Sequence, residues 1–100
     1  MSANEKPLWI HLKVEFFEKF ERREKDTEYR RRGPRWNDET CRIGRRVVLT
    51  RAYRQPHLTG VIVGFHYDTI PNRMPDWVKF YGRDAGDAAC IKIKLDEVMA

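Results

Sequence analysis

Residues 8–30 read LWIHLKVEFFEKFERREKDTEYR, and the hydrophobic period changes twice within them. Apolar residues alternate with other types over residues 8–13, and this period of two predicts a β-strand. From Val14 to Phe20 the apolar positions follow helical spacing, which predicts an amphipathic helix that ends near Arg23. Residues 26–31 alternate again and predict a second strand. The chain therefore starts with a strand, a helix and a strand in direct succession.

The middle of the chain predicts a hairpin. Residues 46–51 are rich in β-branched side chains and predict a third strand, and residues 58–67 predict a fourth strand that pairs with it. Residues 54–57 contain a proline and predict the turn between the two strands. Gly60 and Gly64 fall inside the fourth strand, where glycine indicates a bulge or a sharp barrel corner.

The last third of the chain predicts a loop and a short second helix beginning at Asp76 within residues 70–82, a turn at 84–87 and a closing strand at 88–95. The fold class is α+β: a small curled β-barrel of about five strands, with one main helix packed at an opening. A chain of 100 residues has room for one domain, here 1–100, with frayed ends at 1–6 and 97–100.

Positive charge is concentrated in one part of the sequence. Residues 22–54 hold twelve Arg or Lys against five Asp or Glu, whereas the other residues hold eight against ten. Eleven of the twelve cations are arginines, which form forked contacts with phosphate and stack on bases. This pattern favours a polyanionic partner such as RNA or a nucleotide, and the alternative is a solvated surface that only improves solubility.

Other features of the composition point to a cytoplasmic, soluble protein. The apolar runs are too short to span a bilayer, and residues 1–6 are polar. Cys41 and Cys90 are far apart in the sequence and are interpreted as reduced structural thiols. Neither they nor His11, His57 and His66 have metal-ligand spacing, so no metal and no cofactor is predicted.

A set of three charged residues follows the predicted helix. Glu28 and Arg30 share one face of the second strand, because side chains two positions apart on a strand point the same way. Lys25 lies at the entrance to that face. Such a wall suits an anionic or amide-bearing ligand, and a lysine beside a second cation can serve as a base or nucleophile. The alternative is ordinary ion pairing on a surface strand.

The segment from residue 8 to residue 30 resembles the signature region of the ASCH domain, a member of the PUA-like group. That signature is a short strand, an apolar helix and then G-x-K-x-x-E-x-R. Lys25, Glu28 and Arg30 match it, and Arg23 stands at the place of the glycine. The strand pair at 46–53 and 58–65 and the strand at 90–95 are also similar to the barrel of the family, so the resemblance extends over most of the chain.

The resemblance implies a PUA-like barrel with a cleft between helix and barrel wall, and binding of RNA or nucleobase-like ligands. One branch of the family hydrolyses the acetyl group of N4-acetylcytidine with the signature Lys, a Thr three residues later and a Glu from further along the chain. Lys25 matches the first, but Glu28 stands at the second position. Thr27 is one residue out of register and is expected to face the other way. Only Asp68 and Asp76 are candidates for the third.

Two loops place an aromatic residue beside an arginine. Arg35 and Trp36 follow the second strand, and Tyr53 and Arg54 lie near the predicted hairpin turn. Each pair offers a stacking surface and a phosphate fork, although Trp36 could instead close one end of the core. Three further aromatic residues, Trp9, Trp77 and Phe80, are interpreted as packing residues in the core or at its rim, and His11 as a solvated side chain that could face the cleft.

Two functions of different class fit these patterns. The first is a binding module for RNA or a modified nucleotide that uses Lys25, Glu28, Arg30 and the two aromatic–arginine loops. The second is a small hydrolase, either an N4-acetylcytidine-type amidohydrolase or a metal-independent ribonuclease, with Lys25 and Glu28 as catalytic residues. An accessory interaction protein on the same barrel is a third possibility, because fold does not fix function.

Overall fold

The computed structural model describes residues 5–68 and 87–97, and in them one helix and five strands. The elements are β1 (Leu8–Leu12), α1 (Val14–Glu21), β2 (Thr27–Arg31), β3 (Arg46–Arg51), β4 (Arg54–Asp68) and β5 (Ala88–Leu95). The strand order is β1-β3-β4-β5-β2, with β1 and β3 parallel and the other pairs antiparallel. The predicted second helix from Asp76, Trp77, Phe80 and most of the turn at 84–87 lie outside the described residues.

The core explains why the first two elements form where the sequence predicts them. Alternate residues of β1 point inward, and α1 buries Phe16, Phe17 and Phe20 against them. Burying a phenylalanine side chain contributes roughly 1.5–3 kcal/mol, so these three rings hold the helix on the sheet. The remaining buried members of this cluster come from the other strands and one loop: Val47, Leu49, Ile62, Ile91, Ile93 and Cys41.

The helix ends in a Schellman turn at Arg23. The amide of Arg23 donates to the carbonyl of Phe20 (3.0 Å), and the amide of Glu24 donates to the carbonyl of Lys19 (2.9 Å). Arg23 itself has a φ of 63°, the left-handed conformation that glycine adopts most easily. Arg23 therefore occupies the strained position of this turn, which glycine usually takes.

The hairpin between β3 and β4 is confirmed, but its predicted turn at 54–57 is wrong. Arg51 pairs with Arg54, so the turn consists of Ala52 and Tyr53, with φ values of 52° and 71°. A two-residue turn with both central φ angles positive matches the twist of the strands. Such turns favour neither alanine nor tyrosine, so the residue types at this turn carry no signal of it. Pro56 belongs to β4, opposite the register shift between Thr50 and Arg51, where a missing amide donor is tolerated.

The glycines of β4 mark irregular pairing, as predicted. The register with β5 shifts between Ile62 and Gly64. A Cβ atom at Gly60 would lie 2.6 Å from the carbonyl oxygen of Lys94, so only glycine allows β5 to approach this closely. The bulge and the close approach both help β4 to bend.

The sheet curls into a half-barrel, which confirms the prediction of a small curled α+β fold at this level. Its edge strands β1 and β2 are bridged by a side chain, since Arg30 Nη2 of β2 donates to the carbonyl oxygen of His11 in β1 (2.8 Å). Glu5 and Lys6, expected to be frayed, contact Arg42 and Arg45. Among the described residues, no helix has the length and apolar character needed to cross a bilayer.

Candidate functional site

The three signature residues come together in one ion cluster, the charged triplet of Lys25, Glu28 and Arg30. Glu28 lies at its centre, with Oε1 3.7 Å from Lys25 Nζ and Oε2 2.8 Å from Arg30 Nε. The side chains are 11%, 7% and 20% exposed, respectively. Charges this poorly hydrated are retained only when they are paired, because the desolvation of each ion costs several kcal/mol. The triplet is therefore not an ordinary surface ion pair.

The backbone of β2 explains this grouping. Glu28 and Arg30 share a face, as the sequence predicts, and that face turns toward the interior and toward β1. Thr27 and Tyr29 lie on the opposite face, where Tyr29 packs against Ala88 and Cys90 of β5. The Schellman turn at the end of α1 brings the chain into β2 so that Lys25 reaches Glu28 three residues later.

Aromatic rings surround the ammonium group of Lys25. Its Nζ atom lies 4.7 Å from the ring centre of Tyr29, 5.5 Å from that of Phe16 and 5.7 Å from that of Phe20. The face of an aromatic ring attracts a cation, most strongly where water is excluded. Together with the carboxylate of Glu28, these rings form an environment that stabilises positive charge at this position.

A wide-mouthed cavity of about 410 Å³ opens beside Lys25. Its volume lies in the range of about 300–1,000 Å³ typical of small-molecule sites. The lining residues come from α1, the Schellman turn and β2, and they are Lys19, Arg23, Glu24, Lys25, Asp26, Thr27 and Tyr29. The cavity lies on the Thr27 side of β2, whereas Glu28 does not line it. Thr27 thus faces away from Glu28, as expected, but toward the same cavity as Lys25. Its hydroxyl donates to Asp26 Oδ1 (2.8 Å).

The loop after β2 holds Trp36 against two arginines. The guanidinium of Arg30 lies 4.8 Å and that of Arg35 5.4 Å from the ring centre of Trp36. Asn37 fixes the loop by donating to the carbonyls of Gly33 (3.0 Å) and the next residue, and by accepting from two amides. Trp36 also packs against the core. Trp36 thus packs against the core, as one of the two interpretations predicts, and its role as a stacking surface for a ligand stays a prediction.

Tyr53 and Arg54 lie at the hairpin, away from the cavity. Tyr53 is 77% exposed, and its ring stacks on His11 with the ring centres 3.9 Å apart and the planes 24° from parallel. His11 Nδ1 lies 2.7 Å from Thr50 Oγ1, so this histidine is not the freely solvated side chain expected from the sequence. Partial burial, and then the positive charges of Arg35 and Arg30, lower the pKa of His11.

Trp9 was interpreted from the sequence as a packing residue in the core or at its rim, and the structure corrects the first of these, because Trp9 does not lie in the core. It is 42% exposed and meets His57 edge-on, with ring centres 5.3 Å apart. Trp9 and His11 alternate with the buried residues of β1, so their outward position was readable from the sequence. Their contacts with Tyr53 and His57 were not readable, because those depend on the true turn. We call Trp9, His11, Tyr53 and His57 the outer aromatic strip.

The remaining candidates do not join the triplet. Asp68 ends β4, where its charge acts on Cys90, whose pKa is raised to about 11, mainly by burial. Asp76 lies outside the described residues. In the described part of the chain, no three His, Cys, Asp or Glu side chains gather into a possible metal site.

No protein-family model matches the chain, and no curated protein matches it. The resemblance to the ASCH domain consequently rests on Lys25, Glu28 and Arg30 and on the order of the elements. The features that bear on function are the charged triplet, the cavity beside it and the aromatic contacts around both.

Proposed function

We propose that this chain is an RNA- or modified-nucleotide-binding module of ASCH type, on a PUA-like barrel, with the cavity beside Lys25 as its ligand site. The observation that carries the proposal is that Lys25, which is paired with Glu28 in the charged triplet, lines that cavity. Replacing a buried ion cluster by apolar residues of similar size is often neutral or stabilising. Stability alone therefore gives little reason to keep this cluster charged, whereas a ligand that uses the charge of Lys25 in the cavity gives one.

The cavity lining suits a nucleotide. Lys19, Arg23 and Lys25 supply three cations for phosphate oxygens. Asp26 offers a carboxylate acceptor for the amino or amide hydrogens of a base. The cavity thus offers both cations and acceptors to such a ligand.

The surroundings of Lys25 favour binding over catalysis. A general base or nucleophile must be available in its neutral form, yet the carboxylate of Glu28 and three aromatic rings all stabilise the ammonium. An ammonium held in this way serves as a fixed positive charge for a ligand. Glu28 is then a positioning residue that holds Lys25 and Arg30 in place.

A second candidate function has one specific observation in its favour. Thr27, not residue 28, supplies a hydroxyl to the cavity that Lys25 lines. A lysine and a hydroxyl in one cavity are two elements of the amidohydrolase arrangement that the family resemblance implies. The hydroxyl donates its hydrogen bond to Asp26 and not to Lys25, so the arrangement is incomplete. Hydrolysis of N4-acetylcytidine, or of RNA, is therefore the second candidate and not the first.

The test compares Lys25→Arg and Lys25→Ala, with Lys94→Ala as the control that removes an exposed lysine from β5. Arginine keeps the positive charge but cannot act as a base at any working pH. For a binding module, the parent shows no turnover of N4-acetylcytidine or single-stranded RNA. Lys25→Arg then keeps most of the affinity for RNA or nucleotide, Lys25→Ala loses it, and Lys94→Ala is unchanged.

Two results would contradict the proposal. Metal-free turnover by the parent that disappears in Lys25→Arg would establish the hydrolase instead. Equal affinities of the parent and Lys25→Ala, or no binding by the parent at low salt, would remove the cavity as a nucleotide site.

A further inference from the structure

The outer aromatic strip has the properties of a stacking surface and is not explained by the core. Its members lie on the outer side of the sheet, opposite the inward-facing residues of β1. Trp9 and His11 are two apart on β1, about 7 Å along the strand, which is close to the step between neighbouring bases on an extended strand. Tyr53 covers one end of the strip, and His57 supports the other.

Tyr53 has a backbone conformation that glycine, asparagine or aspartate adopts with less strain. Its φ of 71° lies in the left-handed region, which a bulky aromatic residue adopts at a cost of about 1–2 kcal/mol. The ring remains mostly exposed, so its burial offsets little of that cost. Such an outlier on an exposed aromatic residue motivates a functional hypothesis for Tyr53.

Cations border the strip. Arg51 and Arg54 flank the turn that carries Tyr53, and Arg35 reaches the carbonyl oxygen of Trp9 (3.5 Å). Within residues 5–68 and 87–97, none of these three arginines forms an ion pair with a carboxylate. Arg30 connects the strip to the charged triplet, because it contacts both Glu28 and the carbonyl of His11.

We propose that the outer aromatic strip binds the unpaired bases of a single-stranded polynucleotide, whose phosphates contact the bordering arginines. The proposal rests on the proposed function and deepens it: the strip holds the strand that flanks the nucleotide in the cavity. Stacking on the rings of Tyr53 and Trp9 requires free base faces, which a duplex does not offer. These arginines, which have no carboxylate partner within residues 5–68 and 87–97, suit a phosphate backbone rather than an apolar protein surface.

The experiment measures binding of three probes by fluorescence anisotropy: single-stranded RNA of about 8 nucleotides, the DNA strand of the same sequence and the RNA duplex. The variants are Tyr53→Ala, Tyr53→Phe and, as a control that removes an exposed apolar side chain elsewhere on β4, Val63→Ala. We expect Tyr53→Ala to weaken binding of single strands about 5- to 150-fold, the range for one base stacked on an aromatic ring. Tyr53→Phe and Val63→Ala retain the affinity, and binding of the duplex does not depend on Tyr53.

The outcomes separate this inference from the proposed function. If Tyr53→Ala binds single strands as the parent does while Lys25→Ala does not, the binding role of the strip is refuted and the cavity remains the ligand site. If Tyr53→Ala weakens the binding of single strands but Lys25→Ala has no effect, the strip is supported as the binding surface and the cavity is refuted as the ligand site. Equal loss for duplex and single strands also refutes the strip, and a parent that binds no probe refutes both. Melting temperatures show that each variant is folded, and the RNA and DNA probes show whether the sugar matters.

Discussion

Replacing Glu28 by glutamine removes the negative charge from the centre of the charged triplet and changes the side-chain volume little. Lys25 and Arg30 then remain close together and poorly hydrated without a carboxylate between them. Removing one partner of a buried ion pair costs about 3–5 kcal/mol. Because Arg30 is partly exposed, we expect the lower end, a loss of about 3 kcal/mol in the free energy of unfolding. For a domain of this size, this corresponds to a fall in melting temperature of roughly 12–24 °C.

Urea denaturation at pH 7 measures this loss, and Glu24→Gln is the matched control. The ion pair of Glu24 with Arg22 joins side chains that are both 55% exposed, and exposed pairs contribute about 0–1 kcal/mol. The midpoint should fall sharply for Glu28→Gln and little for Glu24→Gln, with the denaturant slope unchanged in both. A loss below about 1 kcal/mol for Glu28→Gln would refute this prediction, because it would mean that water already solvates the three charges.

Three further predictions concern separate features. Arg23→Gly should raise the free energy of unfolding by about 0.5–1 kcal/mol in urea denaturation, because glycine adopts the left-handed φ without strain; a drop in stability would contradict the Schellman turn. Because the pKa of His11 is lowered in the folded protein, the unfolded chain takes up this proton at a higher pH, and the free energy of unfolding should fall as the pH drops below about 6.5. His11→Gln should remove this part of the pH dependence, and a variant with the same pH profile as the parent would contradict the role of His11. The double variant Arg35→Ala with Arg54→Ala should reduce the dependence of RNA affinity on salt by about 0.7 for each phosphate that is no longer neutralised, whereas an affinity independent of salt in the parent would contradict the role of the basic surface.

The strands and the helix were readable from the sequence because their periodicity coincides with burial. β3 and β5 begin and end at the predicted residues, β3 from its β-branched side chains and β5 from its alternation, and the glycines of β4 mark its irregular pairing. The turn at Ala52 and Tyr53 was not readable, because a turn with positive φ is normally signalled by glycine, asparagine or aspartate. The turn was predicted at residues 54–57 because they contain Pro56, but a register shift allows a proline inside a strand.

Part of the candidate site could be predicted in the same way, and part could not. The period of two on β2 places Glu28 and Arg30 on one face, and the structure brings Lys25 to them. Sequence does not reveal on which side of β2 the cavity opens, since this depends on how α1 packs, and so the presence of Thr27 in its lining was not expected. The stacking of Tyr53 on His11 joins residues that are far apart in the chain, and it follows only from the order of strands in the sheet.

The most direct test of the central claim is a map of amide chemical shifts during titration of the full chain with a nucleoside monophosphate. If the cavity beside Lys25 is the ligand site, the amides of Lys25, Thr27 and Tyr29 shift in a saturable manner, and those of the β4–β5 bulge near Val63 do not. Saturable shifts elsewhere with no change at Lys25, Thr27 and Tyr29, or no shifts at millimolar nucleotide, would contradict the claim.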